Sequence, residues 1–243
     1  MLMRRMTTVH LVDRRQEHGS TWELYTRAVD SGEAFDVFVD GTLLMSSDRR
    51  HSETMLAEFA VSPWRGRDDI TVLVAGLGMG HVVRALLDQP GIARIDVVEI
   101  SQAILDWEQA YFGRLNGDAL RDERVHTHHA ELSDFLRARS ADPQLPVDGW
   151  FAVVLDLDEF PTHLSRPKNE LFYQDSGLEL LGGALRPGGV LALWATEKDD
   201  TLLQRLGGHL QNPMKVAVPV DRDGQGALDH IYRARRGPKK PQN

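Results

Sequence analysis

Residues Ile70–Ala75 form an apolar run broken only by Thr71, and the run opens directly into Gly76-Leu77-Gly78-Met79-Gly80. This junction limits the fold more than any other feature of the chain. A strand with no polar alternation is covered on both faces, as strands of parallel sheets are. The glycines permit a tight strand-to-helix turn whose backbone comes close to a ligand. A helical pattern follows over His81–Asp88 and is stopped by Pro90-Gly91.

The alternation then continues. Strand patterns at Ile95–Ile100, Arg124–Thr127 and Phe151–Leu155 are separated by helical patterns at Ser101–Tyr111 and Ser133–Arg139. Leu171, Leu178, Leu181 and Leu185 mark one face of a long helix, which ends at Arg186-Pro187-Gly188-Gly189 before a strand at Val190–Trp194. Strict alternation predicts a doubly wound, Rossmann-like α/β sheet with right-handed crossovers. Met214–Val220 and Leu228–Ala234 flank an Asp-Gly-containing turn, so the last strands are expected to be antiparallel.

The beginning differs in texture. Thr8–Val12, Thr21–Val29 and Phe35–Val39 are short β-rich runs separated by Gly19-Ser20, Ser31-Gly32 and Asp40-Gly41, and Ser52–Val61 reads as a helix. The expected organisation is therefore an N-terminal β-lobe with a linker helix over residues 1–66. A nucleoside-binding domain follows over 67–236, and a flexible basic tail over 237–243.

Composition removes several function classes. The 243 residues contain no cysteine, which excludes disulfide frameworks, zinc ribbons, iron–sulfur clusters and thiol nucleophiles. The balance of 28 Lys+Arg against 36 Asp+Glu gives a net charge of -8, which disfavours a nucleic-acid partner. No apolar run approaches the roughly 18–20 residues that span a bilayer. Met1-Leu2-Met3-Arg4-Arg5-Met6 has no apolar segment behind it, so the expectation is a cytoplasmic protein without a membrane partner. His126, His128 and His129 flank a strand end, where alternation sends them to different faces, and no metal site is expected. Trp64, Trp107, Trp150 and Trp194 sit at element ends and read as packing residues.

The glycine spacing indicates the kind of ligand. A dinucleotide fingerprint is G-x-G-x-x-G, because the helix start receives a pyrophosphate. Here the third glycine is at position 80 and His81 follows, which better fits a turn passing an adenosine that carries no phosphate. Glu99 ends the second strand, 23 residues after Gly76, where a carboxylate can accept from both ribose hydroxyls. Glu131, after the third strand, stands where a side chain reaches the adenine edge. The fourth strand opens into Asp156-Leu157-Asp158-Glu159-Phe160-Pro161. Carboxylates there can hold ammonium groups, act as a general base, bind a divalent metal or simply face water.

These residues in this order resemble the spermidine synthase family, the polyamine aminopropyltransferases. The resemblance covers about residues 35–195. It rests on Phe38-Val39-Asp40-Gly41, Met55-Leu56-Ala57, the glycine bend at the family's GGGDG, Val98-Glu99-Ile100, and Glu131 at its adenine motif. It rests further on Asp156-Leu157-Asp158-Glu159 at the family's D-x-S-D-P loop and on Leu185-Arg186-Pro187-Gly188-Gly189.

The resemblance implies a methyltransferase-type Rossmann fold beside a small β-lobe, with decarboxylated S-adenosylmethionine as co-substrate and no metal. It implies Asp156 as the base, and Gly76, Gly78, Met79, Gly80, Glu99 and Glu131 against the nucleoside. Asp158 and Glu159, with Glu53 as a further carboxylate, would face a small cationic amine, and a homodimer is left open. The chain departs from the family at Met79, where the family has an Asp for the donor's amine, and at Ser52, where it has a Tyr. It also departs at Glu159, Phe160 and Ala130. Intact S-adenosylmethionine, used by a small-molecule methyltransferase, fits the same pocket, and so does a non-catalytic nucleoside-binding protein.

Overall fold

The computed structural model describes residues 9–30, 32–48, 51–157, 167–222 and 225–238. Its internal contacts divide the chain into two compact units, Met1–Arg50 and His51–Asn243. The first is an antiparallel meander of β1 (Val9–Glu17), β2 (Ser20–Val29), β3 (Gly32–Val39) and β4 (Thr42–Ser46), in that spatial order. Trp22 faces Val39 and Leu24 faces Val37 across β2 and β3, so alternation collects these buried side chains on one face. The turn into β4 is Asp40-Gly41, with φ of 48° and 80°. That twist matches a two-residue hairpin, as the Asp-Gly pair predicts.

The second unit begins with α1 (His51–Val61) and is built on a seven-stranded sheet. Its strands are β5 (Ile70–Ala75), β6 (Ile92–Glu99), β7 (Val125–His129), β8 (Trp150–Leu155), β9 (Leu185–Ala195), β10 (Gln211–Arg222) and β11 (Gln225–Arg235). The order is β10-β11-β9-β8-β5-β6-β7. Pairs among β5–β9 are parallel, while β11 pairs antiparallel with both β9 and β10. The helices are α2 (His81–Leu87), α3 (Gln102–Trp107), α4 (Gly113–Asn116), α5 (Leu132–Ala138), α6 (Asp175–Ala184) and α7 (Asp200–His209). This is the doubly wound sheet with antiparallel closing strands that the alternation predicts. Every residue of β8 is buried, as are five of the six in β5, which explains their unbroken apolar sequence. Among the described residues, no helix is long and apolar enough to cross a membrane.

Four local expectations are revised. Helix α1 belongs to the second unit rather than to the β-lobe, because it packs against α2 and β9. The long leucine-faced helix is two pieces: a 3-10 segment, Pro167–Tyr173, and α6, separated by Gln174 in extended conformation (φ -101°, ψ 167°). Leu185 already belongs to β9, so the leucine spacing crosses three elements that share one core. The helix expected over Ser101–Tyr111 is α3 followed by a π-helical turn, Glu108–Phe112, and then α4. Helix α7 was not expected. Asp199 caps it by accepting from the Thr201 and Leu202 backbone N–H groups at 2.8 and 3.1 Å.

The most deeply buried carboxylate among the described residues lies in this sheet. Asp96 of β6 is fully buried and accepts from Arg94 Nη2 at 2.7 Å, Arg94 Nε at 2.8 Å and Trp150 Nε1 at 2.8 Å. His128 Nε2 lies 2.8 Å from Oδ1, the oxygen that also accepts from Arg94 Nη2, and Phe135 packs on that imidazole at 4.7 Å. Burial pushes the Asp96 carboxyl up, but these partners together outweigh burial and hold it at about 2. His128 is thus engaged as a structural partner, and His129 Nε2 lies 3.0 Å from the Ile100 carbonyl. The tail expected over 237–243 lies outside the described residues beyond position 238.

Candidate functional site

Four neighbouring parallel strands, β8-β5-β6-β7, bring the candidate residues to one edge of the sheet. Their carboxyl ends carry, in that spatial order, Asp156, the glycine bend, Glu99 and Glu131. At about 4.8 Å between strands, this row extends roughly 14 Å. The chain runs outward from β5 to β6 and β7, then returns to the other side of β5 as β8. The strand order therefore reverses between β5 and β8, and open α/β sheets bind ligands at the carboxyl ends of strands at such a reversal.

The bend is held from both sides of this crevice. Gly76 has φ of 93°, and a Cβ there would lie 2.2 Å from the Asp156 carbonyl oxygen. Only glycine permits that backbone and that approach. The Asp156 N–H donates to Ala75 O at 3.0 Å, which ties the exit of β8 to the end of β5. On the other side, Glu99 Oε2 accepts from the Leu77 N–H at 2.9 Å and Oε1 accepts from the Ser101 N–H at 2.7 Å. Glu99 is buried, and its carboxylate links the bend to the start of α3. Gly80 N–H closes the turn onto Leu77 O at 2.9 Å.

Met79 is buried within the bend, and its carbonyl accepts from Asn116 Nδ2 at 2.9 Å. The same Asn116 Nδ2 donates to Glu108 Oε1 at 3.2 Å, and Asn116 Oδ1 accepts from the Ala119 N–H at 3.0 Å. Burial pushes the Glu108 carboxyl above the usual carboxylate range, against the opposing bond from Asn116. Neither residue was singled out from the sequence. The Asn116-Gly117 dipeptide signals a helix end, but nothing local announces the π turn that puts Glu108 and Asn116 together.

The remaining expected residues are placed as follows. Glu131 caps α5: its Oε2 accepts from Ser133 Oγ at 2.5 Å and from the Asp134 N–H at 3.1 Å. Glu53 stands in the first turn of α1, where it accepts from Ser52 Oγ at 3.1 Å. Helix α1 packs against α2, the helix that leaves the bend. Asp158 and Glu159, together with Phe160, lie outside the described residues. Among the described residues, no group of three or more His, Asp or Glu is arranged to hold a metal ion.

The strand ends that border the bend carry acidic residues, Glu99 on one side and Asp156 on the other. Negative charge beside a bend favours a cationic group over a phosphate.

The family model for the spermine/spermidine synthase domain matches residues 53–214. A polyamine aminopropyltransferase of Mycobacterium tuberculosis is 28% identical over 208 residues, covering 82% of this chain and 38% of its own length. A protein of Nicotiana attenuata named putrescine N-methyltransferase 2 is 30% identical over 124 residues, covering 51% of this chain and 30% of its own length. The chain thus spans well under half of either relative. A crystal structure of a spermidine synthase in complex with the transition-state analogue AdoDATO superposes with a TM-score of 0.73 at 15% identity, covering 94% of this chain and 74% of that one. That likeness establishes a shared fold.

Proposed function

The chain belongs to the spermine/spermidine synthase family, and on that premise we propose that it transfers an aminopropyl group from decarboxylated S-adenosylmethionine to a small amine. The observation that carries this reading is the approach of the Asp156 backbone carbonyl to Gly76 at the reversal of strand order, which sets Asp156 beside the bend, with Glu99 on the opposite flank. Glu99 binds the ribose hydroxyls while it keeps the Leu77 and Ser101 N–H groups. A carboxylate has about four lone-pair sites, and the two backbone bonds use half of them. Glu131 reads the adenine edge, and Gly76, Gly78 and Gly80 let the nucleoside lie against the backbone.

Asp156 is the base. An acceptor amine is protonated at neutral pH and is no nucleophile until it loses a proton. The Asp156 carboxylate takes that proton. The nitrogen lone pair then forms a bond to the carbon beside the sulfonium, the C–S bond breaks, and its electron pair leaves on neutral methylthioadenosine. Asp158, Glu159 and Glu53 hold the other ammonium group of the acceptor.

A second reading has specific support. Met79 stands where the family has an Asp for the donor's amine, and one relative is named a methyltransferase. In this reading intact S-adenosylmethionine is the donor, the amine attacks its methyl carbon, and S-adenosylhomocysteine leaves. Calorimetric titration separates the two. Tighter binding of methylthioadenosine supports aminopropyl transfer, tighter binding of S-adenosylhomocysteine supports methyl transfer, and heat from neither refutes both.

A further inference from the structure

We infer that Asn116 is a positioning residue for the nucleoside donor: its side-chain amide, oriented by Glu108, latches the Met79 carbonyl and fills the space over Gly80. The inference rests on the nucleoside reading of the bend and adds to it a part of the chain 37 residues away.

Three observations meet at Asn116. First, the side chain is buried and every polar atom has a partner: Nδ2 on Met79 O and Glu108 Oε1, Oδ1 on the Ala119 N–H. A buried amide with all its bonds made has one orientation. Second, a Cβ at Gly80 would lie 2.3 Å from Asn116 Nδ2. Asn116 therefore occupies the volume that glycine leaves, and Gly80, at φ of 75°, is fixed by both its backbone and this neighbour. Third, the π turn at Glu108–Phe112 separates the partners. In a regular α-helix, residues eight apart differ by about 80° around the axis. One residue inserted by a π turn reduces this to about 20°, which brings Glu108 and Asn116 onto the same face. Such turns are frequent at functional sites.

The consequence is mechanical. The Met79–Gly80 peptide is held at its carbonyl from outside the crevice, while Glu99 holds Leu77 from within it. The segment between these anchors keeps its shape before a ligand arrives, so the ligand does not pay the ordering cost.

The test uses the full chain and methylthioadenosine as probe, with thermal melting and circular dichroism recorded for each variant. Asn116→Ala should bind methylthioadenosine at least tenfold more weakly and raise KM for the nucleoside donor. KM for the amine acceptor should stay within twofold, a split that general loosening of the fold would not produce. Glu108→Gln, which keeps an acceptor oxygen of the same reach, should bind within threefold of the wild type. Glu108→Leu should reproduce the loss, and it carries the test if Asn116→Ala fails to fold. Gly80→Ala should lose binding and recover part of it in combination with Asn116→Ala, because the clash is with that side chain. Wild-type binding that persists unchanged in folded Asn116→Ala or Glu108→Leu overturns the latch and leaves the nucleoside reading intact. Absence of binding by the wild type overturns the nucleoside reading, and the latch with it.

Discussion

Replacing Glu99 by Gln is the sharpest perturbation of the crevice, because it removes a charge while keeping the size of the side chain. The carboxylate accepts from two backbone N–H groups at 2.7 and 2.9 Å, within the range of charge-assisted bonds. Each such bond contributes about 1.5–3 kcal/mol. Glutamine keeps one acceptor oxygen and turns an NH2 group toward the other N–H, so one bond is lost and the other weakened. The expected destabilisation is about 2–4 kcal/mol, read as a lower urea midpoint at unchanged slope. Ribose recognition should fall by a similar charge-assisted contribution, about 10–100-fold in the affinity for methylthioadenosine.

A second ligand separates the two effects. The 2′,3′-dideoxy analogue of methylthioadenosine should bind wild type about 10–100-fold more weakly than the parent compound, and Glu99→Gln should bind both with closely similar affinity. If wild type and variant discriminate equally against the dideoxy analogue, Glu99 does not contact the ribose. Its carboxylate would then serve only to join the bend to α3.

Three further outcomes are expected. Asp156→Asn should lower turnover by at least 100-fold, in the range of a lost general base, with methylthioadenosine affinity within threefold; a fully active variant removes Asp156 from that role. Gly76→Ala should lose nucleoside binding and several kcal/mol of stability, since the φ of 93° alone costs a non-glycine residue about 1–2 kcal/mol and the new Cβ meets Asp156 O at 2.2 Å; an unchanged melting temperature would contradict this packing. Acid should destabilise the fold through Asp96, whose carboxyl sits at about 2 against an ordinary 3.8. Because the folded state binds this proton less readily than the unfolded one, the contribution of about 2 kcal/mol is present above pH 4 and lost as pH falls toward 2. Asp96→Asn, though less stable, should show a shallower dependence of its denaturant midpoint over that window.

The parallel sheet was legible because β5 and β8 are covered on both faces and carry no polar alternation. The glycine bend was legible because a strand that turns at once into a helix needs glycines at known spacing. Glu99 and Asp156 followed from their place at strand ends, since the carboxyl edge of such a sheet is where side chains meet a ligand. Their contacts were not legible: that Glu99 already holds two backbone N–H groups depends on how α3 leaves β6. The leucine spacing misled because it reports burial, and the buried residues Leu178, Leu181 and Leu185 share a core without sharing one helix.

Sequence alone therefore determined the α/β architecture and the edge where acids gather, because both follow from local period and from the order of elements along the chain. Only the tertiary structure decided that Asp96 is shared by Arg94, Trp150 and His128, and that Asn116 reaches across to Met79. The physical reason is the same in both cases. Hydrogen bonds between residues 32 to 54 positions apart depend on packing angles and on one π turn, neither of which leaves a period in the sequence.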